Sequence, residues 1–147
     1  MEKILFICTG NTCRSPMAEL ILKDKLKKAG IKDVRVKSAG LFAEDGEKMS
    51  KNSASALKSA GIKPYAFRSR RLTADILRKA DMVICMTEEH KSRLNGLNYA
   101  YTIKELTGVS DIADPYGGNI ETYMKTMEGI EKACDVLLKK ILKAKGV

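Results

Sequence analysis

With 147 residues and 44% apolar side chains, the chain has the size and apolar content of one domain spanning residues 1–147 around a single core. Trp is absent and aromatics make up only 5%, so that core is expected to be aliphatic, with helices packed on a sheet. The opening MEKILFICTG holds an apolar run too short for a secretion signal or a membrane span, which predicts a cytoplasmic protein without a membrane partner; the net charge of +9 predicts an acidic partner and leaves its class open.

Residues 3–7, KILFI, are a continuous apolar, β-favouring run closed by a Thr-Gly-Asn turn signal, as expected of a central parallel strand buried on both faces. After the loop CTGNTCRS, Pro16 suits a first helical turn, and Ala18, Leu20, Ile21, Leu22 and Leu26 form the apolar stripe of a helix ending at Gly30. Residues 33–38, DVRVKS, alternate apolar and polar as an edge strand does, and Ala39-Gly40 breaks the pattern. A helix is predicted from Ser50 to Ala60 with Gly61 behind it, and Thr73 caps a short one over ADILRKA. MVICM at 82–86 reads as a second buried strand, followed by a helix that Thr87 caps and Glu88, Glu89, Lys91 and Arg93 align with its macrodipole. YAYTIKEL from 99 holds a fourth short strand, GVSDIADPYGG is a loop, and one amphipathic helix runs from Ile120 to Ala144. Strands alternating with helices predict an α/β domain with a four-stranded parallel sheet and helices on both faces.

In such a sheet ligands bind beyond the carboxyl ends of the strands, and the loop after the first strand feeds a helix N-terminus suited to phosphate. Here that loop is Cys8-Thr9-Gly10-Asn11-Thr12-Cys13-Arg14-Ser15. Converging backbone N–H groups would bind an anion and hold Cys8 as a thiolate, and the gap from Cys8 to Arg14 lets the guanidinium fold back over the anion as a two-pronged donor. Cys8 is then the expected nucleophile on phosphorus, with Arg14 and the loop amides stabilising the equatorial oxygens. Asp114, in a loop that Pro115 stiffens, is the expected general acid and later the base that activates water. Ser15 can donate to the Cys8 sulfur, and Asn11 can tie down the loop's own backbone. Cys85 and Cys134 are expected to be packing residues and the lone His90 to face solvent; Tyr99, Tyr101 and Tyr123 read as ordinary half-buried rings. Neither the C-x-x-C spacing of a zinc ribbon nor a cofactor motif such as G-x-G-x-x-G after the first strand is present, so no metal and no cofactor are expected.

The string CTGNTCRSPM from Cys8 to Met17, followed by Ser38-Ala39-Gly40 and the late Asp114-Pro115-Tyr116, resembles the low-molecular-weight protein tyrosine phosphatase family across essentially the whole chain. The resemblance implies metal-free hydrolysis through a phosphocysteine, with Cys8, Arg14 and Asp114 in the roles above, and a reversible Cys8–Cys13 disulfide under oxidation. It also places Thr9, Gly10, Asn11, Thr12, Cys13 and Ser15 around the phosphate, and Leu41 and Tyr116 at the substrate slot. Tyrosine-directed members usually carry a β-branched aliphatic residue at the position of Thr12, whereas the bacterial branch acting on phosphoarginine has threonine there and a Gly-Gly after the aromatic. That favours a protein-arginine phosphatase. Tyr116 is what tyrosine-directed members carry, which leaves phosphotyrosine as the alternative. The chain departs from the family at Phe67, where members commonly have histidine, while Arg70 still matches. The expected partners are phosphorylated proteins, met by a monomer, with no nucleic acid. Two rival readings are weaker: an arsenate reductase would need a further cysteine near Cys85 to relay a disulfide, and a binding module would have no use for an intact nucleophile, clamp and acid.

Overall fold

In the computed structural model, which describes residues 2–147, four strands and six helices alternate along the chain. Strand β1 (Glu2–Cys8) leads through the phosphate-type loop into α1 (Arg14–Lys28). Then come β2 (Val34–Gly40), α2 (Lys51–Ser59), α3 (Ala74–Arg78), β3 (Met82–Cys85), α4 (Glu88–Ser92), β4 (Ala100–Thr102), α5 (Ile103–Thr107) and α6 (Ile120–Ala144). The sheet order is β2-β1-β3-β4 and every pairing is parallel. The alternating strand is therefore the edge and the two continuous apolar strands are central, as their patterns required.

Because successive side chains of a strand face opposite ways, β1 divides its residues between two cores. Ile4 and Phe6 join Val36, Ile84, Met86, Leu57 and the inner face of α6 in the larger cluster. Leu5 and Ile7 join Ala39, Val83, Cys85 and Leu94 in a smaller one, against which residues of α3 pack. The larger core holds the molecule together: α1 and α6 lie against each other over it, and Phe6, Ile84 and Ile130 are completely buried. Each such side chain contributes roughly 1.5–3 kcal/mol by leaving water.

The caps mark where helices start. Ser50 Oγ accepts from Ser53 N at 3.3 Å, and Thr73 Oγ1 accepts from Ile76 N at 3.1 Å. The short helix α5, which the sequence reading folded into the strand segment, is held by a complete capping box. Glu105 N donates to Thr102 Oγ1 at 3.0 Å while Thr102 N donates to Glu105 Oε1 at 2.9 Å. The parallel register sets Cys8 beside Gly40 at the carboxyl end of the sheet, so the loop after β1 and the turn after β2 meet there.

Candidate active site

Cys8 is the last residue of β1 and is 2% exposed, at the base of a loop that runs straight into α1. Asn11 sits at the loop's turn with φ of 54° and no solvent exposure. That left-handed backbone is tolerable for asparagine and is locked by its side chain. Arg70 N donates to Asn11 Oδ1 at 2.8 Å, so the amide nitrogen must point the other way, toward Ser15 Oγ and Ser38 Oγ, both at 2.9 Å. Ser38 Oγ donates in turn to Glu19 Oε1 at 2.7 Å, and Lys23 Nζ holds the other carboxylate oxygen at 2.6 Å.

The donor directions follow from the two ends of this chain. Ser15 Oγ accepts from Asn11 and lies 2.8 Å from Cys8 Sγ, so its one proton can be donated to the sulfur when Cys8 is a thiolate. Burial pushes the Cys8 thiol above its ordinary value, against the Ser15 hydroxyl, the Ser15 amide, the Arg14 charge and the Asn11 amide, which all lower it. Burial outweighs these four, whereas the sequence predicted a net thiolate-favouring loop; the reason is that Cys8 closes a strand in the middle of the core rather than standing in an open loop.

Gly40 permits the fit. A Cβ there would stand 2.6 Å from Thr9 O and 2.8 Å from Asn11 N, both backbone atoms of the loop. The turn after β2 is stitched to the loop by Leu41 N donating to Cys8 O at 3.0 Å and Phe42 N donating to Thr9 O at 2.9 Å. Thr12 O accepts from Ser50 N at 2.8 Å, which ties the far side of the loop to the cap of α2. At Cys13, its N-cap residue, α1 has no side-chain cap, and its first turn has no acidic residue. The Ser15 and Asn11 backbone N–H groups instead reach the Cys8 sulfur, where they lower its pKa.

Arg14 is 5% exposed and comes from the first turn of α1. Nη1 donates to Ile112 O at 3.1 Å and Nη2 to Thr9 Oγ1 at 3.4 Å, while Nη2 lies 3.8 Å from Asp114 Oδ2. The guanidinium therefore joins the loop around Cys8 to the segment that carries Asp114. Pro115 beside it is buried, whereas the Asp114 side chain is half exposed at 53%, and its Oδ1 accepts from Tyr116 N at 3.1 Å. The nucleophile, clamp and acid expected from sequence thus converge at one end of the sheet. Thr9 is exposed, Gly10, Thr12 and Leu41 are partly exposed, and Tyr116, at 84% exposure, stands in solvent beside the site.

His90 corrects the sequence reading. It is 4% exposed, with Nε2 3.0 Å from Thr9 Oγ1 and Nδ1 3.1 Å from Thr87 Oγ1. It lies third in α4, where the Thr87 cap that accepts its N–H is also within reach of its ring; the cap is legible in the sequence, the direction of the side chain is not. Burial and the nearby Arg14 cation lower His90 to about 4, against weaker opposition from Glu89, Asp111 and Asp114, so the ring is neutral at ordinary pH. Tyr123 is also more buried than expected, at 4%, with its hydroxyl 3.7 Å from Cys13 Sγ. Cys13 Sγ lies 3.4 Å from Ser50 Oγ, and all four cysteines are free thiols. Cys85 and Cys134 are buried packing residues, and burial lifts each thiol to about 12. Phe67 is packed in the larger core; the loop's support comes from Ser38, Ser15 and the Arg70 amide. Phe42, missed in the sequence, is 61% exposed beside the loop with the Arg93 guanidinium 5.4 Å over its ring.

Comparison with known proteins points the same way as the geometry. The family model described as low molecular weight phosphotyrosine protein phosphatase matches residues 3–146. A protein-arginine-phosphatase of Geobacillus stearothermophilus is 38% identical over 146 residues, 95% of each chain. A low molecular weight protein-tyrosine-phosphatase, PtpB, of Staphylococcus haemolyticus is 37% identical over 133 residues, 86% of this chain and 90% of its own. Among solved structures, a YwlE arginine phosphatase mutant with a phosphorylated active-site serine superposes with a TM-score of 0.89 at 36% identity, covering 96% of this chain and 95% of that one.

Proposed function

The chain belongs to the low-molecular-weight phosphotyrosine protein phosphatase family, whose members are cysteine-dependent phosphatases, and from that premise we propose that it hydrolyses phosphoarginine in proteins. Cys8 Sγ attacks phosphorus in line, forming an S–P bond as the P–N bond to the guanidine breaks. Asp114 gives its proton to the departing nitrogen, and Arg14 with the loop amides carries the charge on the three equatorial oxygens. Water then attacks the phosphocysteine, losing a proton to Asp114, so that phosphate leaves and the thiolate returns. Ser15 stabilises that thiolate at both ends of the cycle. Thr9, Gly10, Asn11, Thr12 and Cys13 shape the phosphate cradle; Leu41 and Tyr116 wall the substrate slot.

The single observation that carries the arginine reading is Thr12, partly exposed in the loop, where a hydroxyl can hydrogen-bond a guanidinium and a branched aliphatic side chain could only pack. The protein-arginine-phosphatase relative supports it across 95% of the chain. Tyr116 favours the second reading, hydrolysis of phosphotyrosine, since an exposed phenol ring suits stacking on a phenyl substrate. The enzyme acts as a monomer in the cytosol, a reducing compartment suited to a catalytic thiol and the three other free cysteines. Among the described residues no helix is long and apolar enough to cross a membrane.

The test compares wild type and Thr12→Ile on a phosphoarginine protein and a phosphotyrosine peptide, with Cys8→Ser as the blank. Wild type is expected to prefer phosphoarginine and the substitution to move the preference toward phosphotyrosine by about tenfold or more, since a site built to bond a polar group discriminates strongly once that group is gone. A wild type that already prefers phosphotyrosine would overturn the arginine reading.

A further inference from the structure

His90 is the only histidine in the chain, and its ring is buried at the corner where β3 passes into α4. Both ring nitrogens are engaged inside the protein: Nε2 lies 3.0 Å from Thr9 Oγ1 and Nδ1 lies 3.1 Å from Thr87 Oγ1. The ring is therefore not placed to exchange a proton with substrate. Thr9 Oγ1 also accepts from Arg14 Nη2 at 3.4 Å, and the other terminal nitrogen of Arg14 donates to Ile112 O at 3.1 Å. Both supports of the guanidinium lead back to the same corner. Ile112 N donates to Met86 O at 3.0 Å and Glu88 N donates to Asp111 Oδ2 at 3.1 Å, so the segment whose carbonyl receives Nη1 is anchored beside His90.

The two supports differ in stiffness. A backbone carbonyl anchored in this way stays where its segment puts it, whereas the hydroxyl of Thr9, an exposed loop residue, turns unless something holds it. We propose that His90 is a positioning residue for the clamp: by fixing the Thr9 hydroxyl it sets the angle at which the Arg14 guanidinium meets the phosphate oxygens. Either tautomer serves. Nε2 gives its proton to Thr9 Oγ1 or receives the Thr9 proton, and in both cases the oxygen keeps a lone pair for Arg14, which can only donate. The angle matters because a fork of two parallel donors loses its match to two oxygens when its plane tilts. Those oxygens spread into the equatorial plane as the transition state forms, so a tilted clamp costs more there than in the bound substrate. The inference rests on the reading of Arg14 as the phosphate clamp and holds whether the leaving atom is nitrogen or oxygen.

Turnover of p-nitrophenyl phosphate, with inhibition by orthovanadate and by inorganic phosphate, tests this on wild type, His90→Leu, Thr9→Val and the double variant. Orthovanadate adopts the five-coordinate geometry of the transition state and phosphate does not. His90→Leu is expected to lower kcat about tenfold or more with KM changed less than about threefold, and to weaken orthovanadate about tenfold while phosphate inhibition moves little. Because His90 acts through Thr9, the double variant is expected to be no slower than Thr9→Val alone. Multiplied losses overturn the proposal, as do equal losses for orthovanadate and phosphate, or an unchanged kcat. Arg14→Ala tells a failure of the premise apart. If it loses orthovanadate inhibition and His90→Leu keeps it, the clamp reading stands and the role of His90 falls; if it keeps that inhibition as well, the clamp reading falls and the role of His90 with it. Should circular dichroism show His90→Leu unfolded, NMR of the histidine ring nitrogens in untagged wild type replaces it, since a single histidine leaves no assignment to make. Orthovanadate is expected to shift the Nε2 resonance more than that of Nδ1, and an unmoved Nε2 overturns the proposal.

Discussion

The Ser15 hydroxyl accepts from the Asn11 amide and stands 2.8 Å from the Cys8 sulfur, so its one proton can stabilise a Cys8 thiolate. Ser15→Ala removes the first of the groups that hold the thiol down, so the Cys8 pKa, already raised by burial, is expected to rise further. The rate of iodoacetamide alkylation against pH reads this: the variant's profile should shift to higher pH, with turnover slowed about tenfold or more at neutral pH. An unshifted profile would show that the hydroxyl does not stabilise the thiolate. His90 works one bond further back, on Thr9, which accepts from Arg14. Its pKa is depressed from 6.5 to about 4, so the unfolded chain binds the proton more readily. The resulting stability is complete above about pH 6.5 and is lost as pH falls toward 4, reaching roughly 3 kcal/mol at 1.36 kcal/mol per unit. Melting curves of wild type and His90→Asn should converge across that window on acidification; parallel curves would mean that the ring is not held neutral.

At the scale of elements, the active loop depends on a contact between two strand ends. Gly40→Ala would drive a methyl into Thr9 O and Asn11 N, backbone atoms that cannot swing aside. The expected cost is about 1–3 kcal/mol in urea unfolding, with kcat/KM reduced far more than stability because the displaced atoms belong to the loop proposed to cradle the phosphate. Retained activity would mean that the loop tolerates another path. This dependence was half legible: Ser38-Ala39-Gly40 could be read as part of a family string, but no pattern within one strand reveals what a residue meets across the sheet. Local signals did better. The buried runs at 3–7 and 82–86, the alternating edge strand and the long amphipathic C-terminal helix lie where the periodicity placed them. The short helix α5 was hidden because Tyr99 to Leu106 is too brief to show a period, although the Thr102–Glu105 box was present in the sequence.

The site as a whole divides along the same line. Cys8, Arg14, Ser15 and Asn11 lie within one short loop, so spacing alone located them; His90, Glu19 and the Ile112 carbonyl reach the same place from separate elements, which only the folded sheet brings together. Charge is the property that acts at the largest scale. With +9 net, the molecule presents a positive field to any anionic substrate before contact. Such a field is screened beyond about 10 Å at 0.1 M salt and about 3 Å at 1 M. For a phosphorylated protein of acidic surface, kcat/KM should therefore fall several-fold as salt rises through that range, while kcat, set after binding, changes little. Stopped assays at matched pH across a sodium chloride series separate the two, since the chemistry proposed for Cys8, which is 2% exposed, would proceed where bulk ions do not screen. If kcat/KM stays flat, the positive surface plays no part in capture, and recognition rests on the phosphate loop and its immediate walls alone.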